Sequence, residues 1–167
     1  ELAARSRAGG PPLAACAVSP AKAVRFAELL PEISIWFGNQ SEAEAVLGRG
    51  YRDAPTTELA AAIASAGVRA GFISDSKAPF AAWDDGAREI LKPYRVARMS
   101  SVNGAGDAQA AGTVYGLSKN LDFLQALRFG MAAAVLKIET EDPVRRDLTP
   151  ALLEARAAES AHPAREG

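Results

Sequence analysis

Ser101-Val102-Asn103-Gly104-Ala105-Gly106-Asp107, running on into Ala108-Gln109-Ala110-Ala111-Gly112, is the stretch from which this fold is read. Two glycines mark a loop, and Ala108, Ala111, Val114 and Leu117 then recur at helical spacing, so a glycine loop feeds a helix N-terminus. Such a junction suits an anion. Gly104 and Gly106 can take backbone angles closed to other residues and carry no Cβ, so a phosphate can approach the main-chain N–H groups at the positive end of the helix dipole. Asp107 has two readings. As a strong N-cap it would close the helix start. As a general base it would take the proton from an attacking hydroxyl while the N–H groups hold the transferred phosphoryl.

Outward from this loop, strand and helix signals alternate. Residues 13–18 are a short apolar run of the buried-strand kind, and Ser19-Pro20 supplies an N-cap with Pro at the first helical position. The helix this predicts, 21–30, ends at Pro31, and residues 33–37 form the next strand. In Gly38-Asn39-Gln40-Ser41-Glu42-Ala43-Glu44, Ser41 with Glu44 reads as a capping box for a helix to Leu47, stopped by Gly48. Thr56 or Thr57 caps a helix ending near Ala66, followed by a strand at 68–73. Residues 80–83 and 88–91, joined through Asp84-Asp85-Gly86-Ala87, read as a hairpin. Beyond the central helix, Asp122 caps a helix over 123–137 whose Ala126, Phe129, Gly130, Ala133 and Ala134 make a small-residue face for close packing. A last helix covers 149–157. This order predicts a three-layer α/β/α fold with a mainly parallel sheet flanked by helices, as a single domain over 1–157 with a polar tail at 158–167.

Composition narrows the function classes. With 49% hydrophobic residues the chain has material for a sizeable core, and 19 basic against 20 acidic residues leave no electrostatic footprint for nucleic acid or a membrane surface. Cys16, the one cysteine, permits no internal disulfide and is expected to be a buried thiol. His162, the one histidine, lies in the polar tail, which removes an ordinary Ser-His-Asp triad. No apolar run is long enough for a membrane span and the N-terminus lacks a secretory pattern, so a cytoplasmic protein is expected. The opening Glu1-Leu2-Ala3-Ala4-Arg5, without Met, reads as a point inside a longer chain.

The wording Asn103-Gly104-Ala105-Gly106-Asp107 with its Ala-rich helix resembles the GAGD signature of the ribokinase-like (PfkB-type) carbohydrate and nucleoside kinases. The resemblance implies that Gly104, Ala105 and Gly106 form the anion hole and that Asp107 is the catalytic base. It covers residues 10–155 as the C-terminal half of such a kinase. Asn39 and Glu42 match the family's NxxE motif, which implies placement of Mg²⁺ and the nucleotide phosphates, largely through water. Hard oxygen ligands and retained waters are what Mg²⁺ prefers. Gly38 stands where the family usually has Pro, and is expected to loosen the turn. Asn103, Ser74, Ser76 and Lys77 fall where the family borders the nucleotide, with Ser76 and Pro79 in place of expected glycines. Lys77 reads either as a phosphate contact or as an exposed loop lysine. Ser101 replaces the family's frequent Asp, which helps to hold a monovalent cation, so potassium activation is not expected. The loop 138–147 would border the base.

The implied activity is ATP- and Mg²⁺-dependent phosphoryl transfer to a hydroxyl of a sugar or nucleoside. Residues 102–108 and the run Lys137-Ile138-Glu139-Thr140-Glu141-Asp142-Pro143-Val144 look most like pseudouridine kinases. The alternative is an inactive or truncated kinase-like module that binds nucleotide or a partner without turnover, for which Ser76, Pro79, Ser101 and the absent half argue. An exposed truncated edge would favour a homodimer.

Overall fold

A computed structural model describes residues 2–76 and 78–160; Lys77 and the tail from 161, with His162, lie outside the described residues. The chain packs as two compact units, Glu1–Pro93 and Tyr94–Gly167.

The first unit is a mixed sheet with its helices. After α1 (Leu2–Arg7) come β1 (Ala14–Cys16), α2 (Pro20–Ala23), β2 (Ile35–Asn39), α3 (Gln40–Leu47), α4 (Thr56–Ser65), β3 (Ala70–Asp75), β4 (Ala78–Asp84) and β5 (Ala87–Leu91). The strands lie in sequence order, with β1, β2 and β3 parallel and β4 and β5 adding antiparallel. The helical crossovers that parallel pairing requires are present between β1, β2 and β3, whereas β3, β4 and β5 follow one another through tight turns. Between β4 and β5, Asp85 and Gly86 both have positive φ (45° and 92°), the two-residue hairpin turn expected from the sequence.

One close approach fixes this sheet's packing. Register pairs Trp36 with Gly71 and Gly71 with Trp83, and both indoles are fully buried. A Cβ on Gly71 would lie 2.6 Å from Trp83 Cη2 and 2.7 Å from the Trp36 backbone carbonyl, so only glycine lets the Trp83 ring lie over β3 in a core shared with Trp36, Leu59, Ile63 and Val68. Trp83 Nε1 donates to the Val68 carbonyl at 3.0 Å, which satisfies its buried polar atom.

Several expectations are corrected here. The helix foreseen over 21–30 is a four-residue α-turn, α2, continued by a 3₁₀ segment, Val24–Glu32, that contains Pro31. Proline lacks the N–H an α-helix would use and its ring crowds the carbonyl four residues back, which favours the tighter winding. Cys16 is exposed, because β1 pairs on one side only and turns Ala15, not Cys16, into the core. Gly38 does not loosen a turn: it sits within β2, where a Cβ would come within 2.7 Å of Trp36 Nε1. The capping box lies two residues earlier than foreseen, on Asn39 and Glu42. The cap before α4 is Pro55, neither Thr56 nor Thr57.

The second unit holds a loop over 94–104 and three helices, α5 (Ala105–Ser118), α6 (Phe123–Ile138) and α7 (Pro150–Ser160). Asp122 caps α6 as expected, its carboxylate accepting the Gln125 N–H at 2.8 Å. The small-residue face does bring α5 and α6 together. A Cβ on Gly112 would stand 2.6 Å from the Phe129 carbonyl, one on Gly116 2.6 Å from Ala126 Cα, and one on Gly130 would collide with Thr113 Oγ1 and the Gln109 carbonyl. Ala132, Ala133 and Leu136 of α6 pack on Leu153 and Ala157 of α7. Among the described residues no helix is long and apolar enough to cross a membrane.

Candidate active site

α5 begins three residues earlier than its apolar periodicity suggests. Gly104 is the N-cap, in the left-handed region at φ +78°, and Ala105, Gly106 and Asp107 form the first turn. The two glycines therefore have separate reasons. Gly104 supplies a backbone angle that disfavours side chains, whereas Gly106 is helical and a Cβ there meets nothing within 4 Å, so its lack of a side chain leaves an open face.

No side chain caps this helix start. Ala105 N–H donates to the Val102 carbonyl at 3.1 Å, while among the described residues the N–H groups of Gly104, Gly106 and Asp107 make no backbone hydrogen bond. Gly104 and Gly106 of the set read in the sequence are thus unpartnered donors, and Asp107 stands beside them while Ala105 is engaged in its own turn. Asn103 is exposed in the turn just before. Asp107 is exposed at the third helical position, and among the described residues its carboxylate makes no hydrogen bond or ion pair. That removes the N-cap reading of Asp107.

The start of α3 is the opposite case. Asn39 Oδ1 accepts Glu42 N–H at 3.0 Å and Glu42 Oε2 accepts Asn39 N–H at 2.9 Å, so α3 closes its own first turn. Glu42 is only 6% exposed. With the Asn39 carbonyl so engaged, the part this pair can take in holding Mg²⁺ is through metal-bound water on the Glu42 carboxylate. The donor set fits that role. Among the described residues there is no cluster of three or more His, Cys, Asp or Glu to enclose a cation, and Mg²⁺ keeps several waters by preference.

Of the β3–β4 residues read as bordering a nucleotide, Ser74 lies next to the last residue of β3, with its hydroxyl 3.5 Å from the Gly38 carbonyl. Ser76 has φ +48°, a left-handed angle that explains why glycine was expected there. Pro79 lies in β4, with no unusual backbone requirement. Replacing Ser76 by Gly is expected to stabilise the protein by about 1 kcal/mol or less, the left-handed strain offset in part by glycine's greater chain entropy. Urea denaturation checks this, and a destabilised variant would mean that the serine side chain holds the turn.

Within the second unit, a pocket of about 460 Å³ opens at Gly104 and Asp107 and runs between α5, α6, α7 and the loop before α7. Its walls are mostly apolar: Ala108, Ala111, Tyr115, Leu136, Val144 and Leu153. That size and lining are usual for a small-molecule site. The rim is held by Arg145, which forks onto both carboxylate oxygens of Asp147 (2.8 and 3.1 Å) and donates to the Leu136 carbonyl at 3.1 Å. Hydrogen bonding from Arg145 holds the Asp147 carboxyl below its ordinary range, although that group is fully exposed.

A loop of this form, an open helix start, an unpaired aspartate and an adjoining apolar pocket coincide with a sequence match: the profile of the pfkB family carbohydrate kinases covers residues 1–147. The chain belongs to the pfkB carbohydrate kinase family. The fold of this pfkB chain agrees with solved structures. A carbohydrate kinase from Agrobacterium tumefaciens is 31% identical, with a TM-score of 0.77 over 94% of this chain and 49% of its own. An adenosine kinase from Sinorhizobium meliloti is 22% identical, with a TM-score of 0.76 over 93% of this chain and 47% of its own. Arabidopsis thaliana ribokinase, solved with ribose and ATP, is 19% identical, with a TM-score of 0.66 over 78% of this chain and 43% of its own. The pfkB chain described here thus spans about half the length of these relatives. No curated protein matches it significantly. The mixed sheet and its helices are the ribokinase-like α/β fold expected from the sequence.

Two parts of this region escaped the sequence reading. The contribution of α7 to the pocket, through Pro150 and Leu153, has no local signal, because it depends on a helix returning from beyond the loop. Lys137 had one: it falls seven residues after Gly130 on the buried face of α6, where a charged residue is out of place.

Proposed function

We propose that this chain carries the phosphoryl-transfer half of an ATP-dependent kinase acting on a hydroxyl of a sugar or nucleoside. The observation that carries the reading is the pocket of the second unit, which has unpartnered N–H groups and the free Asp107 carboxylate at one end and an apolar cleft along the rest. A nucleotide has that same division, with anionic phosphates and an apolar base. The base would lie along Tyr115, Val144 and Leu153, and the phosphates at the start of α5. The loop 138–147 would then border the base, as the family resemblance implies. Support for ATP comes from the Arabidopsis relative, which was solved with that nucleotide and ribose.

In the transfer, Asp107 accepts the proton of the acceptor hydroxyl and a bond forms between that oxygen and the γ-phosphorus. The bond from the γ-phosphorus to the bridging oxygen breaks, leaving ADP with the electron pair. The N–H groups of Gly104, Gly106 and Asp107 stabilise charge on the equatorial oxygens. Glu42 with Asn39 would hold water of a hydrated Mg²⁺, whose chemistry when bound is to neutralise phosphate charge. Ser74 and Ser76 remain candidates for the nucleotide border.

A pseudouridine acceptor rests on the wording of residues 102–108 and 137–144 alone, and a screen of sugars and nucleosides decides it. The non-catalytic module remains the second reading, favoured by the left-handed Ser76. Calorimetric titration with Mg·ATP and with a non-hydrolysable analogue tests the nucleotide site, and ADP release in the presence of a sugar or nucleoside separates the kinase from a module that binds without turnover. Binding that requires Mg²⁺ supports the kinase reading, and absence of binding overturns it. Gly106→Val is expected to weaken the analogue about tenfold or more without loss of stability, since its side chain enters only open space and the bond it displaces is to a charged group. Unchanged affinity would place the phosphate elsewhere.

A further inference from the structure

Lys137 is the buried cation that neither the fold nor the proposed chemistry has yet used. It is 3% exposed, near the end of α6, and lines the pocket together with Gly104 and Asp107. Its Nζ lies 3.5 Å from the Ser101 carbonyl and 3.5 Å from the Thr140 carbonyl. Its Cε stands 3.6 Å from the place of a Cβ on Gly104. Among the described residues it makes no ion pair, although a buried ammonium without a counter-charge is costly and two carbonyl dipoles at that range compensate it only in part.

The two carbonyls belong to different segments. Ser101 is in the loop that leads to Gly104, and that loop is tied to the end of α6 by the Ser100 and Ser101 N–H groups, which both donate to the Ile138 carbonyl (2.9 and 3.1 Å). Thr140 follows α6 and starts the segment that carries Pro143 and Val144 along the pocket. One ammonium therefore sits where the approach to the phosphate loop meets the pocket's rim. It is a positive charge behind an anion-binding helix start, shielded from water, where electrostatic effects are strongest.

We propose that Lys137 is a positioning residue for the phosphates of the bound nucleoside triphosphate: its ammonium pins the 101–104 loop to the turn at Thr140 and supplies the fixed positive charge that the phosphates neutralise. The proposal rests on the nucleotide reading of this pocket. The counter-charge absent from the protein arrives with the ligand, and the phosphate end, not the base end, gains from it.

The test is calorimetric titration of the chain, unaltered and as Lys137→Met and Lys137→Arg, with a Mg²⁺-loaded non-hydrolysable ATP analogue and, separately, with adenosine. Lys137→Met keeps an unbranched side chain only one atom shorter and removes its charge. It is expected to weaken the analogue about tenfold or more and to leave adenosine unchanged, because a unit charge near the phosphates acts on the anionic ligand alone. Lys137→Arg, which keeps the charge, is expected to lose less than Lys137→Met. Adenosine binding by each variant also reports that its pocket is folded. Equal losses for analogue and adenosine would make Lys137 a structural residue and overturn the proposal, as would no loss for either ligand or equal losses in Met and Arg. If the unaltered chain binds neither ligand, the nucleotide reading fails and this proposal falls with it; if it binds both and only the split is absent, the nucleotide reading stands and Lys137 alone is misassigned.

Discussion

Asp107→Asn is expected to reduce turnover by about 10²–10⁴-fold, the usual contribution of a general base, with nucleotide affinity retained or improved. The geometry separates this from a stability effect. Asp107 lies at the third position of α5, the cap is Gly104, and among the described residues no donor engages the carboxylate. Its structural contribution is thus limited to the helix dipole, about 0.3–1 kcal/mol. Removing a negative charge beside the phosphates also relieves repulsion, which is why binding should not suffer. The measurement is a comparison of kcat and KM in the form of the protein that turns over a sugar or nucleoside, beside a denaturation curve for each variant. Turnover within a few-fold of the parent would reduce Asp107 to a dipole partner and end its assignment as base.

The largest stability effect is expected where Gly130 of α6 meets Gln109 and Thr113 of α5. Gly130→Val should destabilise the second unit by about 3 kcal/mol or more, the upper range for forcing bulk into a packed contact. A Cβ at Gly130 would collide with Thr113 Oγ1 and with the Gln109 backbone carbonyl, and the latter cannot give way without moving α5. Gly106→Ala is the control within the same pair of helices. Nothing lies within 4 Å of its added methyl, so the better helix former should stabilise by up to about 1 kcal/mol. Urea titrations of both variants give the comparison. A Gly130→Val protein as stable as the parent would mean that α5 and α6 do not approach as closely as described. Because Ala111 and Gly112 of α5 and Ala133 and Leu136 of α6 both line the pocket, this same contact sets its width.

Much of the site was legible because its physics is local. A glycine that must take a positive φ, a helix start, and an acid one turn later are adjacent in the chain, and Gly104 to Asp107 could be read as an anion loop without knowing any neighbour. The hairpin turn at Asp85-Gly86 and the cap at Asp122 were legible for the same reason. Where two local signals competed, the sequence could not rank them. Ser41–Glu44 and Asn39–Glu42 both have capping-box spacing, and the register of β2, which carries Asn39 to the edge of the helix, decided for the latter. The cause of the Gly38 departure lies two residues away in the same strand, where the Trp36 indole occupies the place a Cβ would take, and it is the ring's rotamer that the sequence does not show.

By itself, then, the sequence determined the strand and helix alternation over most of the first unit, the glycine loop that opens α5 with Gly104 in the left-handed region, and the family to which the chain belongs, because those properties are set by backbone chemistry and short spacings. Only the tertiary structure decided which N–H groups stay unpartnered, that Asp107 is not a cap, that α7 closes an apolar pocket, and that Lys137 is buried behind the loop. The first two turn on where α5 starts, which its apolar spacing did not settle, whereas the last two depend on groups far apart in the chain being brought within a few ångströms, and no short window of sequence contains both partners.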